Sequence, residues 1–106
     1  MIEGITVIYI AGPMSGLEEY NHPAFHAAES YLQEHRDDAE LINPAWNYNG
    51  SPQVNWQQYM RRSIRQVMEA TELYVLKGWE ASKGAQLEVS LAKALGLKLT
   101  FEGGEL

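Results

Sequence analysis

A glutamate on the buried face of a helix is the feature of this sequence most suggestive of chemistry. The run Ser82-Lys83-Gly84-Ala85-Gln86-Leu87-Glu88 follows an apolar segment and opens a helical pattern. At a period of about 3.6 residues, Ala85, Val89, Ala92 and Leu95 face inward, and Glu88 falls among them. A carboxylate on that side is costly unless it is paired or hydrogen-bonded, and such misfits often mark functional positions. The bland alternative is a glutamate whose stem packs while its head reaches solvent. Tyr9 lies in an otherwise apolar strand and needs a partner for its hydroxyl; Glu88 on an adjacent element would serve. Ser82 is a good N-cap. Free N–H groups at the start of that helix attract anions, and Gly84 lets a ligand approach the backbone closely.

Three further groups are weaker. Gly12-Pro13-Met14-Ser15-Gly16 after the first strand suits a ligand lying over the strand end, but it lacks the GxGxxG spacing of a dinucleotide fold. Trp46, Asn47, Tyr48, Asn49, Asn55 and Trp56 could stack on a flat heterocycle and read its edge, or simply tuck their own loop in. His22 and His26 stand four residues apart with no carboxylate placed to complete a metal site, so they read as a helix start. No metal and no cofactor is expected. Arg61, Arg62 and Arg65 read as a solvated helix face.

Elements that would position these residues alternate along the chain. Ile5–Ala11 is a continuous apolar, β-branched run, as in a strand buried on both faces. A helix follows from near Pro23 to His35. Glu40–Asn43 is a second strand, ended by Pro44, and a long loop runs to Asn55. A helix over Asn55–Ala70 carries one stripe of Trp56, Tyr59, Met60, Ile64, Val67 and Met68. Glu72–Leu76 is a third strand. The Ser82 helix runs to Leu95 with Gly96 as its stop, Leu97–Phe101 is a fourth strand, and Glu102–Leu106 reads as frayed. This alternation implies parallel βαβ units. The expected fold is a Rossmann-like (flavodoxin-like) three-layer α/β sandwich with a parallel sheet of four to five strands, as a single domain over residues 1–106. In such sheets ligands bind beyond the carboxyl ends of the strands. That rule selects three loops: Gly12–Asn21, Pro44–Asn55 with Trp46, and Lys77–Ser82 with Gly78 and Trp79.

Composition narrows the classes. Hydrophobic residues make up 45% of the 106-residue chain and charged residues 21%, the profile of a globular protein. The absence of cysteine removes disulfides, thiolate nucleophiles and Cys-based zinc sites. A net charge of −6 disfavours binding to nucleic-acid polymers. The apolar stretch Gly4–Pro13 is too short to span a bilayer, and there is no signal-peptide pattern. A cytoplasmic protein without a membrane partner is the expectation.

The segments YIAGPMSG (Tyr9–Gly16), LINPAW (Leu41–Trp46) and ELYVLKGWEASKGAQLEVSLAKALG (Glu72–Gly96) resemble the nucleoside 2-deoxyribosyltransferase superfamily, which also holds nucleoside 5′-monophosphate N-glycosidases. They are most similar to its small phage and bacterial branch. The resemblance implies that Glu88 is the nucleophile, that Tyr9 orients it, and that Ser82 and Gly84 match the serine and glycine that bind the 5′-phosphate in the monophosphate-hydrolysing branch. It places Glu72 where an aspartate often contacts the sugar. Gly12, Pro13, Met14, Ser15, Gly16, Asn21, Pro44, Trp46, Gly78 and Trp79 become candidate contacts to a small-molecule nucleoside or nucleotide. The loop after strand one lacks the arginine of the monophosphate hydrolases. A homodimer or larger homo-oligomer is also implied. The implied reaction is cleavage or transfer of an N-glycosidic bond; the rivals are a non-catalytic nucleotide-binding or sensing module and an interaction protein with a relict pocket.

Overall fold

The structure, a computed structural model, describes residues 4–50 and 54–103. Four strands, β1 (Thr6–Ala11), β2 (Ala39–Ile42), β3 (Glu72–Val75) and β4 (Lys98–Phe101), alternate with α1 (His22–His35), α2 (Trp56–Glu69) and α3 (Lys83–Leu95). All neighbouring strands are parallel, in the order β2-β1-β3-β4. The fold is thus the expected flavodoxin-like α/β sandwich, with a sheet of four strands among the described residues. No helix among them is long and apolar enough to cross a membrane.

Alternation along β1 divides the core. Ile8 and Ile10 pack with Phe25, Ala28 and Leu32 of α1, and with Ala45 and Leu76. Tyr9 and Ala11 point the other way, into Val67 of α2, Val89 and Ala92 of α3, and Leu73 and Val75. Side chains two apart share a face of a strand, so one apolar run serves both layers. After β2 the chain returns across β1 to begin β3, which makes the carboxyl ends of β1 and β3 the switch point where a crevice opens. Gly12 follows β1 directly; a Cβ there would stand 2.8 Å from Leu76 Cβ. Only glycine lets the two strand ends run this close.

Local chemistry sets the helix ends. Asn55 caps α2 in a capping box with Gln58, and Ser82 caps α3 by accepting from Ala85 N–H at 3.2 Å. Four expectations need correction. The stretch after β2 is a 3-10 turn over Pro44–Gly50 rather than open loop. Met68 and Leu95 are exposed rather than inward; on α2 the face beneath Val67 is completed by Ser63, four residues earlier, while Met68 lies 100° further round. At the end of the sheet Glu102 is tied in: its N–H donates to Val75 O at 2.7 Å, and its Oε1 accepts from Lys77 N–H at 2.8 Å. The remainder of the expected frayed end, 104–106, lies outside the described residues.

Candidate active site

Glu88 lies at the second turn of α3 with 5% of its surface exposed. Tyr9 Oη donates to its Oε2 at 2.7 Å across the sheet–helix interface. Tyr9 is fully buried, so this bond satisfies a hydroxyl that the apolar strand could not. Burial pushes the Glu88 carboxyl up to about 8, with the Tyr9 bond pulling the other way. Burial, and then the adjacent Glu88 charge, hold Tyr9 well above the ordinary phenol range. Ser63 on α2 is buried beneath this pair, and its Oγ has no hydrogen-bond partner among the described residues.

The pair opens into a cavity of about 240 Å³ at the carboxyl edge of the sheet. Its floor is Tyr9, Gly12 and Glu88. One wall is the start of α3, with Ser82, Gly84 and Ala85, and another is the inner face of α2, with Trp56, Tyr59 and Met60. Met14, Ser15, Tyr20, His22, Phe25, Pro44 and Val54 close the remainder. Tyr59 holds two strand-end loops together: its hydroxyl donates to Pro44 O at 2.6 Å and lies 3.1 Å from Met14 Sδ. Burial raises its pKa above that of a free phenol. The His22 pKa is lowered by burial and by neighbouring His26. A carboxyl held by a single phenol donor, facing an aromatic and apolar hollow, can act as a nucleophile, a proton donor or a recognition group.

Of the candidates named from the sequence, Tyr9, Gly12, Met14, Ser15, Pro44, Trp56, Ser82, Gly84 and Glu88 line this cavity. The others do not. Glu72 opens β3 on the α1 face, where it accepts from Arg36 at 2.9 and 3.3 Å. Leu73 and Val75 take the Tyr9 face, so period-two alternation turns Glu72 away. Trp46 is 61% exposed; its indole donates to Glu29 at 3.1 Å and its ring packs on His26. Gly78 and Trp79 line a separate, open hollow with Phe101 and Glu102, because the left-handed Gly78 turns the chain away. Pro13 is buried, and its carbonyl accepts from the Asn21 side chain at 2.9 Å, so both residues shape the loop rather than the cavity; Gly16 is exposed in that loop.

Within the amide and aromatic group, Asn47 binds Gln66 and Arg62, Tyr48 donates to Gln58 O, and among the described side chains Trp56 alone faces the cavity; the Asn49 side chain lies outside them. Sequence reasoning missed Tyr20, His22, Phe25, Val54 and Ala85 as lining residues, and took Tyr59 and Met60 for core. A signal existed for the last two, since they share a helical face with Trp56. No cluster of metal-ligating side chains occurs among the described residues.

A family model described as Domain of unknown function (DUF4406) matches residues 6–101. No curated protein matches the chain. Among solved structures, a 2-desoxiribosyltransferase from Leishmania mexicana superimposes with a TM-score of 0.68 at 18% identity, covering 91% of this chain and 63% of that one. A 2-deoxyribosyltransferase from Bacillus psychrosaccharolyticus gives 0.66 at 18% identity, covering 95% and 76%. This likeness is one of fold. The chain spans a little under two thirds of the Leishmania enzyme's length.

Proposed function

Since the chain belongs to the family described as Domain of unknown function (DUF4406) and shares its fold with 2-deoxyribosyltransferases, we propose that it cleaves or transfers the N-glycosidic bond of a (deoxy)nucleoside or nucleoside 5′-monophosphate, with Glu88 as nucleophile. One observation carries the reading: the buried Glu88 carboxyl, bonded through Oε2 to Tyr9 and open to a cavity lined by aromatic rings. An ion pair would neutralise such a group; here it keeps an oxygen for chemistry.

The ionised carboxylate attacks the anomeric carbon. The C1′–N bond breaks with its electron pair going to the base, which takes a proton from water. A glycosyl ester on Glu88 splits one hard displacement into two easier ones, by the retaining logic of glycosidases. Water, or a second base, then attacks C1′ and the Glu88 carboxylate departs. Tyr9 fixes which oxygen is free and stabilises the charge when it returns. Trp56, Tyr20 and Phe25 offer faces for a flat base.

Base release, followed by chromatography over a panel of nucleosides and 5′-monophosphates, tests this. Wild type is expected to release base, and Glu88→Gln to lose at least about 1,000-fold in rate, roughly 4 kcal/mol of barrier. Full activity in Glu88→Gln would sink the mechanism. A second reading draws on the raised Glu88 pKa: at pH 7 roughly nine tenths of the carboxyl is protonated in the empty site, given a value near 8. A neutral carboxyl is a hydrogen-bond donor suited to a binding or sensing module, which would be stabilised by a nucleoside and release no base.

A further inference from the structure

Ser63 is a buried polar group that the Glu88 mechanism does not use. Met60, Ser63 and Val67 are the buried residues of α2, three and four residues apart on its inner face. Met60 lines the cavity and Val67 packs in the Tyr9 cluster, so Ser63 lies between them, against the Tyr9–Glu88 pair. It is 0% exposed, and its Oγ has no hydrogen-bond partner among the described residues. A serine inside a helix can donate to the carbonyl four residues earlier. Here that is Tyr59 O, and the bond is not made. A hydroxyl left unpaired in the interior is expensive, and each such exception calls for a reason.

Its neighbour has the complementary need. A phenol oxygen carries one proton and two lone pairs. Tyr9 gives its proton to Glu88 Oε2 at 2.7 Å. The nearby Tyr59 hydroxyl goes elsewhere, to Pro44 O at 2.6 Å, which leaves Ser63 as the hydroxyl beside Tyr9 with a proton to give. Burial and the Glu88 charge raise the Tyr9 pKa, and Ser63 pulls it down, as a donor facing the phenol oxygen does. The other titratable groups facing the pair are Tyr59 on α2, with Tyr20 and His22 across the cavity. Lys83, at the start of α3, lies over the Trp56 ring. From β3 and β4 only the apolar Leu73, Val75, Leu99 and Phe101 pack on this side.

We propose that Ser63 is a positioning residue for Glu88: its hydroxyl donates to Tyr9 Oη as Glu88 ionises, so that a Ser63–Tyr9–Glu88 chain holds the carboxylate in its attacking form. No proton passes along the chain. Ionised Glu88 draws the Tyr9 proton towards Oε2, which leaves the phenol oxygen richer in electrons and a better acceptor for Ser63. The serine hydroxyl hydrogen rotates to suit. Ser63 is idle while the carboxyl is neutral and engages in the charge state that attacks C1′. The inference rests on the glycosidase reading only for its kinetic readout.

The test follows the Glu88 titration by carboxyl 13C NMR in glutamate-labelled protein, with the signal assigned by its loss in Glu88→Gln. Wild type, Ser63→Ala, Tyr9→Phe and the double variant Tyr9→Phe/Ser63→Ala are compared. Ser63→Ala should raise the Glu88 midpoint by about half a unit to one unit, the worth of one neutral hydrogen bond. In the Tyr9→Phe background the same substitution should leave the midpoint in place, because nothing remains for Ser63 to act through. An unmoved midpoint in Ser63→Ala overturns the inference. So does an equal shift with and without the Tyr9 hydroxyl, which would make Ser63 a direct solvating group for the carboxylate. Urea denaturation adds a second reading. Ser63→Ala should be at least as stable as wild type at pH 4.5, where Glu88 is neutral, and less stable at pH 9. The same difference at both pH values marks a mere spacer and overturns the inference as well. The pH profile of base release should move with the midpoint. If wild type releases no base, the glycosidase reading fails, and the titration and stability decide this one alone.

Discussion

Two glutamates are buried to nearly the same depth, Glu72 at 4% exposure and Glu88 at 5%, and the molecule treats them in opposite ways. Glu72 lies on the α1 face at the amino edge of the sheet. It receives two bonds from the Arg36 guanidinium and one at 3.4 Å from Thr100 Oγ1. Glu88 lies on the α2/α3 face towards the carboxyl edge and receives one phenol bond. A carboxylate matched to a cation and several donors is a fixture of the fold. One that is desolvated, singly bonded and open to a hollow is held ready for a ligand, and burial has already driven its pKa up.

The largest expected effect separates the two by stability. The Glu88 pKa rises from 4.5 to about 8 on folding. An acid raised in this way binds more protons in the native state, so its stabilising contribution is full below about pH 4.5 and is lost as pH rises through about 8. Glu88→Gln cannot ionise. At pH 9 it should be more stable than wild type by several kcal/mol, because a tenfold change in proton affinity is worth about 1.4 kcal/mol. At pH 4.5 the two should differ little. Glu72→Gln should instead cost about 1–3 kcal/mol at neutral pH, between the surface and buried limits for an ion pair, because Arg36 is partly exposed. It should leave base release intact. Urea denaturation at the three pH values reads both. A Glu88→Gln protein that is less stable than wild type at pH 9 would erase the contrast.

Much of this contrast was legible in the residues. The buried position of Glu88 follows from helical periodicity, and its partner from the unmet hydroxyl of Tyr9. The cap at Ser82 and all four strands are local patterns, whereas the capping box at Asn55 was not read from the sequence. Glu72 was misplaced because its position beside β3 was read through the resemblance. Period-two alternation, with Leu73 and Val75 on the Tyr9 face, points it to the α1 side. Trp46, Gly78 and Trp79 were assigned because they follow strand ends, but the turns after those ends decide which way side chains point. Those turns are set by long-range contacts, such as Trp79 with Phe101 and Trp46 with His26. The same limit hid Tyr20, His22 and Phe25, which reach the cavity only through the packing of α1 across β1.

A smaller effect sharpens the role of Tyr9. If Glu88 acts as the ionised nucleophile, kcat/KM for an uncharged nucleoside should rise with pH, up to tenfold per unit, and level off near 8. Tyr9→Phe removes the one interaction that pulls the Glu88 pKa down, so the rise should move to higher pH while the maximal rate falls. A hydroxyl serving only the core would cost stability without moving the profile. An unshifted profile in Tyr9→Phe would therefore separate Tyr9 from the chemistry.

The smallest effect concerns backbone strain at the two edges of the sheet. Glu19, Tyr20 and Asn21 follow one another in the left-handed region, with φ of 54°, 53° and 60°. Side chains at positive φ cost of order 1 kcal/mol or more each, and only the asparagine tolerates it well. Such strain persists where the surroundings impose it, and here it sets Tyr20 against the cavity. Glu19 is exposed, so Glu19→Gly relieves its share at the expense of a more flexible unfolded chain. The balance should be a gain of about 0.5 kcal/mol in urea denaturation, with a higher KM as Tyr20 loosens. Glu40→Gly, on the exposed side of β2 in regular strand conformation, makes the same chemical change at the amino edge. It should lose about 0.5–1 kcal/mol and leave KM alone. If both variants lose stability alike, the left-handed turn stores no strain, and the two edges differ only in their carboxylates.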